Sequence, residues 1–206
     1  MTRAVAGARA ARRRQTEARL LDAALEVFCA HGYDAATTGA MARAAHVAAG
    51  TFYLHFRDKR AAYEAVARRA AHELLDAYRA ALRPGMRIAD RAALALRMTA
   101  DFWCTDVLRA RLLLEGGPSF GSEGHLRFVD DIAATFAAET APAVRSVPRR
   151  ALALLLTGAG IELGRVIVAR PDPEAEIDEL MRLVRRALAH LDLTARPGGH
   201  RGISSR

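Results

Sequence analysis

Residues 58 to 83, DKRAAYEAVARRAAHELLDAYRAALR, contain no glycine or proline and a single β-branched residue, Val66. Ala, Arg, Leu and Glu fill such a segment, which has no turn residue within it and an intrinsic preference that is helical throughout. Pro84-Gly85 then breaks it. The same residue types dominate most of the 206-residue chain, which is 51% apolar and 26% charged. The expectation is therefore a folded, all-α protein rather than a disordered or strand-rich one.

Punctuation divides the helices. Residues 1–11 read as a flexible basic arm. A first helix runs from near Arg12 to His31, with Leu21, Ala24, Leu25 and Phe28 at helical spacing and Gly32 as its C-terminal stop. After residue 84 the pattern predicts helices over about 88–104, 106–115, 123–141, 148–170 and 174–193. The turn-rich GGPSFGSEG and the PDP break lie among them. The domain reading is 12–60, 61–195 and a basic tail at 196–206.

The stretch TTGAMARAAHVAAGTFYLHF, residues 37–56, is too polar for a buried strand and too broken for one helix. Thr37 or Thr38 can N-cap a short helix that turns Met41, Ala42 and Ala45 inward. His46 and Val47 form a corner. A second short helix, from about Ala48 to Phe56, buries Phe52 and Phe56 and presents Ala49, Gly50, Thr51, Tyr53 and Leu54, with Tyr53 and His55 near the surface. That is the geometry of a helix-turn-helix, whose second helix enters the major groove of DNA.

Charge points the same way. Residues 1–60 hold ten Lys/Arg against five Asp/Glu, residues 61–195 are neutral, and the last eleven residues add three arginines, for a net +8. A basic N-terminal third suits a polyanionic partner.

These residues resemble the tetracycline-repressor (TetR) family of bacterial transcription regulators. The resemblance covers about residues 16–63. It is carried by LLDAALEVFCAHGYDAATT and MARAAHVAAGTFYLHFRDK, with Gly32-Tyr33, Thr37-Thr38, Gly50-Thr51-Phe52-Tyr53, His55-Phe56 and Lys59 at matching spacings. It implies an N-terminal three-helix DNA-binding domain, a C-terminal helical ligand-binding and dimerisation bundle, and a homodimer made by the last two long helices. The implied activity is repression relieved by a small-molecule effector, on a pseudo-palindromic double-stranded operator.

The residue chemistry is compatible. Thr38, Tyr53, His55 and Lys59, the only lysine, carry groups that can reach phosphate oxygens. Gly50 permits close backbone approach, and Ala49, Thr51 and Leu54 can meet base edges. Three positions depart from the family pattern: His46 stands at the usual turn glycine, Ala48 at a common Ser/Thr cap, and Gly39 where some members carry a base-reading side chain. Arg43 and the arm arginines Arg12, Arg13 and Arg14 can compensate. The arm either enters the minor groove or is a solvated basic start.

For the effector, the expected contacts are Phe102, Trp103, Phe120, Phe128, Ile132 and Phe136, with Arg109 and His125 as polar partners. An ordinary bundle core or surface ion pairs account for the same residues. An apolar or amphipathic ligand would suit them. The dimer expectation names Leu155, Gly158, Ile161 and Gly164 on one helix and Leu180, Val184 and Leu188 on the next. Gly158, Gly160 and Gly164 are costly inside a helix unless a neighbour, most simply a partner helix, packs close.

Other functions fare less well. GPSFG, residues 117–121, matches the G-x-S-x-G pattern with Ser119 as nucleophile, but it follows helix-favouring RARLLLEG and not a strand, so no enzyme is expected. The seven histidines include no close pair at ligand spacing, and no metal or cofactor is expected. A ligand-independent DNA-architectural protein would leave the neutral body unexplained. Cys29 and Cys104 read as buried, reduced thiols. No apolar secretory region follows the N-terminal arginines. The longest apolar stretch, ALALLLTGAGIELG, is shorter than a membrane span and carries Glu162, so the expected location is the cytoplasm, away from membranes.

Overall fold

The structure is a computed structural model. It describes residues 2–114, 122–138, 149–170 and 173–193, with side chains for all of these except 2–6, 122–126, 136–138 and 190–193. Ser119, Phe120 and the C-terminal tail lie outside the described residues. Every regular element among the described residues is a helix. They are α1 (Thr2–Ala35), α2 (Thr38–Ala44), α3 (Ala49–Tyr53), α4 (Lys59–Ala81), α5 (Ile88–Thr105), α6 (Val107–Leu114), α7 (Ser122–Ala138), α8 (Arg149–Ala169) and α9 (Glu174–Leu193).

Two compact units divide the chain. The first comprises Met1–Leu74 with Phe102–His125, and the second Leu75–Asp101 with Leu126–Arg206.

In the first unit, α1 lays Leu20, Ala23, Ala24, Val27 and Phe28 onto Met41, Ala42 and Ala45 of α2 and its end, and onto Phe52 and Phe56. Tyr63 and Val66 of α4 and Leu112 of α6 complete this core. Phe28, Tyr33 and Tyr63 form an aromatic trio with centroids 5.3–5.7 Å apart. The Tyr63 hydroxyl donates to the Leu112 carbonyl at 3.1 Å. Residue 112 lies far from the motif in sequence, and no local pattern could have assigned it to this core.

Helix α1 differs from expectation at its start. It is continuous from Thr2, where the apolar pattern placed the beginning near Arg12. Ala and Arg fill residues 2–14 almost completely, so helix propensity carries the helix beyond its last core contact. At the other end Gly32 leaves the helical region with φ 73°, as its role as a stop requires. Asp58 caps α4, its Oδ1 accepting from the Ala61 amide at 2.7 Å.

In the second unit, Leu75 and Tyr78 of α4 pack with Ile88, Ala92, Ala93 and Leu96 of α5, Leu152 and Leu156 of α8, and Met181 of α9. Arg97 ties α5 to α9, its guanidinium bonding Glu174 at 2.8 Å while also pairing with Asp101 and Asp178. Its pKa is held above the ordinary arginine value, first by the hydrogen bond to Glu174. A Cβ on Gly160 would sit 3.1 Å from Cγ2 of Thr99. The close neighbour at this glycine is therefore α5 of the same chain, which corrects the expectation of a partner helix there.

Two further expectations are revised. Cys104 is exposed, and Cys29 is only half-buried; neither forms a disulfide. Burial and the Asp106 carboxylate raise the Cys29 thiol pKa against the opposing Arg109 guanidinium, which disfavours a reactive thiolate. Helix α8 taken whole is long and apolar enough to suit a membrane span by length and composition, unlike the shorter stretch read from the sequence. Half of that window is buried within the protein's own fold, as in a core helix.

Candidate nucleic-acid interface

The motif is built from the inside outward. The Thr37 side chain accepts from the Ala40 amide at 3.1 Å, which settles which threonine caps α2. Chain reversal is achieved at His46, the one non-glycine residue with positive φ (54°) among the described residues. A β-carbon there carries modest strain that histidine tolerates better than most residues. Ala48 provides no side-chain cap, and α3 is correspondingly short, ending at Tyr53 where the pattern allowed it to run to Phe56. Fully buried Phe52 anchors α3 to the core.

With Phe52 inside, the opposite face of α3 is left to solvent. Ala49 and Gly50 are exposed, Thr51 is partly so, Tyr53 is 57% exposed and Leu54 73%. A leucine that open on a short helix is unusual for a monomer surface and suits an apolar contact with a partner. The Thr38 and Tyr53 hydroxyls lie 3.0 Å apart, linking the first turn of α2 to the end of α3. Arg43 is exposed, with its guanidinium 3.6 Å from the place a Cβ on Gly39 would occupy. The space left by the missing Gly39 side chain is thus filled by a cation.

Two side chains sit differently from expectation. The His55 side chain is only 6% exposed, not near the surface, and its Nδ1 lies 3.9 Å from Glu17 of α1. The backbone hydrogen bonds that close α3, from His55 and Phe56 to the Phe52 carbonyl, turn the imidazole back against the domain. Lys59 is already engaged. Its ammonium donates to the Tyr33 carbonyl at 2.7 Å and the Asp34 carbonyl at 2.9 Å, and lies 4.5 Å from the Tyr33 ring centroid. It ties the start of α4 to the end of α1 through acceptors that the Gly32 break leaves available.

The arm arginines meet this surface. Arg12, Arg13 and Thr16 of α1 line a shallow cleft together with Thr51, Leu54 and His55. Sequence reading did not place Thr16 here.

Residues 20–66 match the profile of the bacterial regulatory proteins of the tetR family. The chain belongs to the TetR family. It is 43% identical over 65 residues to the uncharacterized HTH-type transcriptional regulator TtgW of Pseudomonas putida, a match spanning 32% of this chain. The chain thus covers about half, 48%, of that relative's length. A tetR-family bacterial regulatory protein from Rhodococcus RHA1 is 25% identical, with a TM-score of 0.57 over 83% of this chain and 95% of that one. The transcriptional regulator FadR from Bacillus subtilis, solved in complex with stearoyl-CoA, is 17% identical, with a TM-score of 0.63 over 81% of this chain and 96% of that one. The all-α TetR architecture, an N-terminal helix-turn-helix followed by a helical C-terminal part, accounts for the whole described chain.

The other TetR expectations divide. Phe102 and Trp103 are half-buried, their rings edge to face at 5.1 Å. Arg109 lies over the Phe102 ring at 5.0 Å and pairs with Glu73 at 2.7 Å, so its charge is already neutralised in the first unit. Phe128 and Ile132 belong to the second unit, where Ile132 packs against the core. His125 and Phe136 fall on α7, with side chains outside the described set.

Among the dimer residues, Leu155 is 70% exposed and Gly158 is open, but Gly164 is buried. Leu180, Val184 and Leu188 pack against the chain's own second core. They share a stripe with buried Ile177 and Met181, so α9 turns them inward. The exposed apolar residues that the sequence reading missed are Leu154 and Leu183, at 44% and 61%. Counting along α9 in threes and fours from Met181 would have placed Leu183 off the core stripe.

Proposed function

We propose that this TetR-family protein is a dimeric transcription repressor that binds a pseudo-palindromic DNA operator through α3 and is released by a small-molecule effector. The observation that carries the reading is α3 itself, a short helix anchored by buried Phe52 and presenting Gly50, Thr51, Tyr53 and Leu54 to solvent. On this reading Thr51 and Leu54 meet base edges, Leu54 through a thymine methyl, while Thr38, Arg43 and Tyr53 lie along phosphates. Lys59 adds positive charge beside them while holding the scaffold.

A two-fold dimer would set two such helices in successive major grooves, about 34–36 Å apart. Exposed Leu154, Leu155 and Leu183 on α8 and α9 supply apolar area for the interface. The site of action is the bacterial cytoplasm.

The effector is an apolar or amphipathic molecule contacting Phe102 and Trp103. FadR's stearoyl-CoA complex makes a long-chain acyl thioester the first ligand to try. Differential binding to two conformers would shift operator affinity by a coupling of about 1–3 kcal/mol.

Selection of bound duplex from a random pool tests the central reading. The expected result is a sequence with two inverted half-sites, whose preferred bases change in Thr51→Ala and Leu54→Ala. Recovery of only asymmetric or single-stranded DNA would overturn it. Titrating stearoyl-CoA while following Trp103 fluorescence and operator occupancy tests the effector. Binding without loss of operator affinity would exclude that ligand as the release signal.

A further inference from the structure

The face of α1 that seals the first core is the row Leu20, Ala23, Ala24 and Val27, all buried. Followed toward the N-terminus in steps of three and four residues, that row continues through Thr16, Arg13, Arg12 and Arg9. One continuous stripe thus changes from apolar to cationic where the helix passes the edge of its domain. These three arginines are exposed and have no carboxylate partner among the described residues. Residues 1–16 contain no acid at all; Glu17 is the first. Arg14, about 100° round the helix from Arg13, lies off the stripe.

The stripe does not point at random. Arg12, Arg13 and Thr16 form one wall of the cleft whose other wall is Thr51, Leu54 and His55. Whatever covers the outward face of α3 therefore meets the N-terminal extension of α1 as well. Helical structure also decides between two ways of meeting DNA. A helix with its side chains is about 10–12 Å across, whereas the minor groove is about 6 Å wide, so a helical extension cannot lie in that groove as an unfolded arm would.

We infer that the N-terminal extension of α1 is a second DNA-binding element, which stays helical and lays Arg9, Arg12 and Arg13 along the phosphates bordering the major groove that α3 occupies. The inference rests on α3 being the recognition helix. Arg9 to Arg13 rises about 6 Å, less than two base-pair steps of about 3.4 Å, so the three guanidinium groups address neighbouring phosphates. Their planar forks suit phosphate oxygens, and contacts of this kind carry no base preference.

The test is salt-dependent binding of the full chain to its selected operator and to a random-sequence duplex, by fluorescence anisotropy over a series of KCl concentrations. The variant R9A/R12A/R13A replaces arginines by the best helix former, so the fold is preserved, as circular dichroism will verify. Three lost phosphate contacts should make the log–log salt slope shallower by about 2.7 on both duplexes, at about 0.9 per phosphate. The selected sequence should not change, and R9K/R12K/R13K should restore the slope, because charge and not base recognition is being read. An unchanged slope in the alanine variant would overturn the inference. So would a loss confined to operators with A·T-rich flanks, which would mean minor-groove insertion. If the unmodified protein bound neither duplex, the DNA-binding reading itself would be the one to fail.

Discussion

The hydroxyls of Thr38 and Tyr53 meet at 3.0 Å, fifteen positions apart in sequence. This bond joins the first turn of α2 to the exposed end of α3, so two groups able to contact phosphate also fix each other's direction. Replacing either removes a partially exposed neutral hydrogen bond, and Tyr53→Phe should lower stability by about 0.5–1 kcal/mol. Operator affinity should fall for all sequences alike. A Thr38→Val/Tyr53→Phe double-mutant cycle, by urea unfolding and by DNA titration, should show coupling in both; strict additivity in both would deny the pair any joint role.

Lys59 is a scaffold residue before it is anything else. Its ammonium bridges the Tyr33 and Asp34 carbonyls beside the Tyr33 ring. Lys59→Met keeps the aliphatic stem and removes both donors, and should destabilise the DNA-free protein by about 1–3 kcal/mol. Thermal unfolding without DNA checks this, and an unchanged midpoint would show that the bridge contributes nothing.

His46 occupies the left-handed region at φ 54°. His46→Gly should relieve that strain, and after allowing for the greater freedom of glycine when unfolded the net gain should be about 0.5–1 kcal/mol. His46→Val, β-branched, should be destabilised. Chemical denaturation of the three proteins orders them, and a reversed order would place the turn's strain elsewhere.

Tyr63 gives a pH signature. Burial first, and the neighbouring Tyr33 second, push its phenol from the ordinary 10.0 up to about 12. The folded state therefore holds its proton above the pH at which the unfolded chain loses it. Stability from this group is fully present below pH 10 and declines as pH rises towards about 12. Tyr63→Phe should remove that alkaline slope while leaving the Leu112 carbonyl without its phenol donor. Urea midpoints measured across the alkaline range in both proteins provide the comparison; equal slopes would refute the assignment.

Gly160 packs against Thr99, whose own Oγ1 is held by the Ala95 carbonyl at 2.8 Å. Gly160→Val therefore meets a side chain that is not free to rotate away, and should cost about 1–3 kcal/mol through overpacking. Thermal unfolding of Gly160→Val alone and combined with Thr99→Ala tests it, the second change being expected to recover part of the loss.

The sequence by itself determined the helices, their breaks and the motif. Those follow from short-range causes: the Ala/Leu/Arg runs, Gly32, Pro84-Gly85, and a threonine placed to cap α2. The inward turn of Phe52 and the outward turn of Leu54 were also legible, since helical spacing alone puts them on opposite faces. Tertiary structure decided what distant residues do with the groups left over. It brought Leu112 into the first core and Thr99 against Gly160. It also gave Lys59 two carbonyls and turned His55 inward beside Glu17. No periodicity encodes such pairings, because each depends on the register with which one helix lies against another. The basic stripe of α1 stands between the two cases. Its residues are plain in the sequence, but only packing fixed which side of the helix is the core side, and hence where Arg9, Arg12 and Arg13 point.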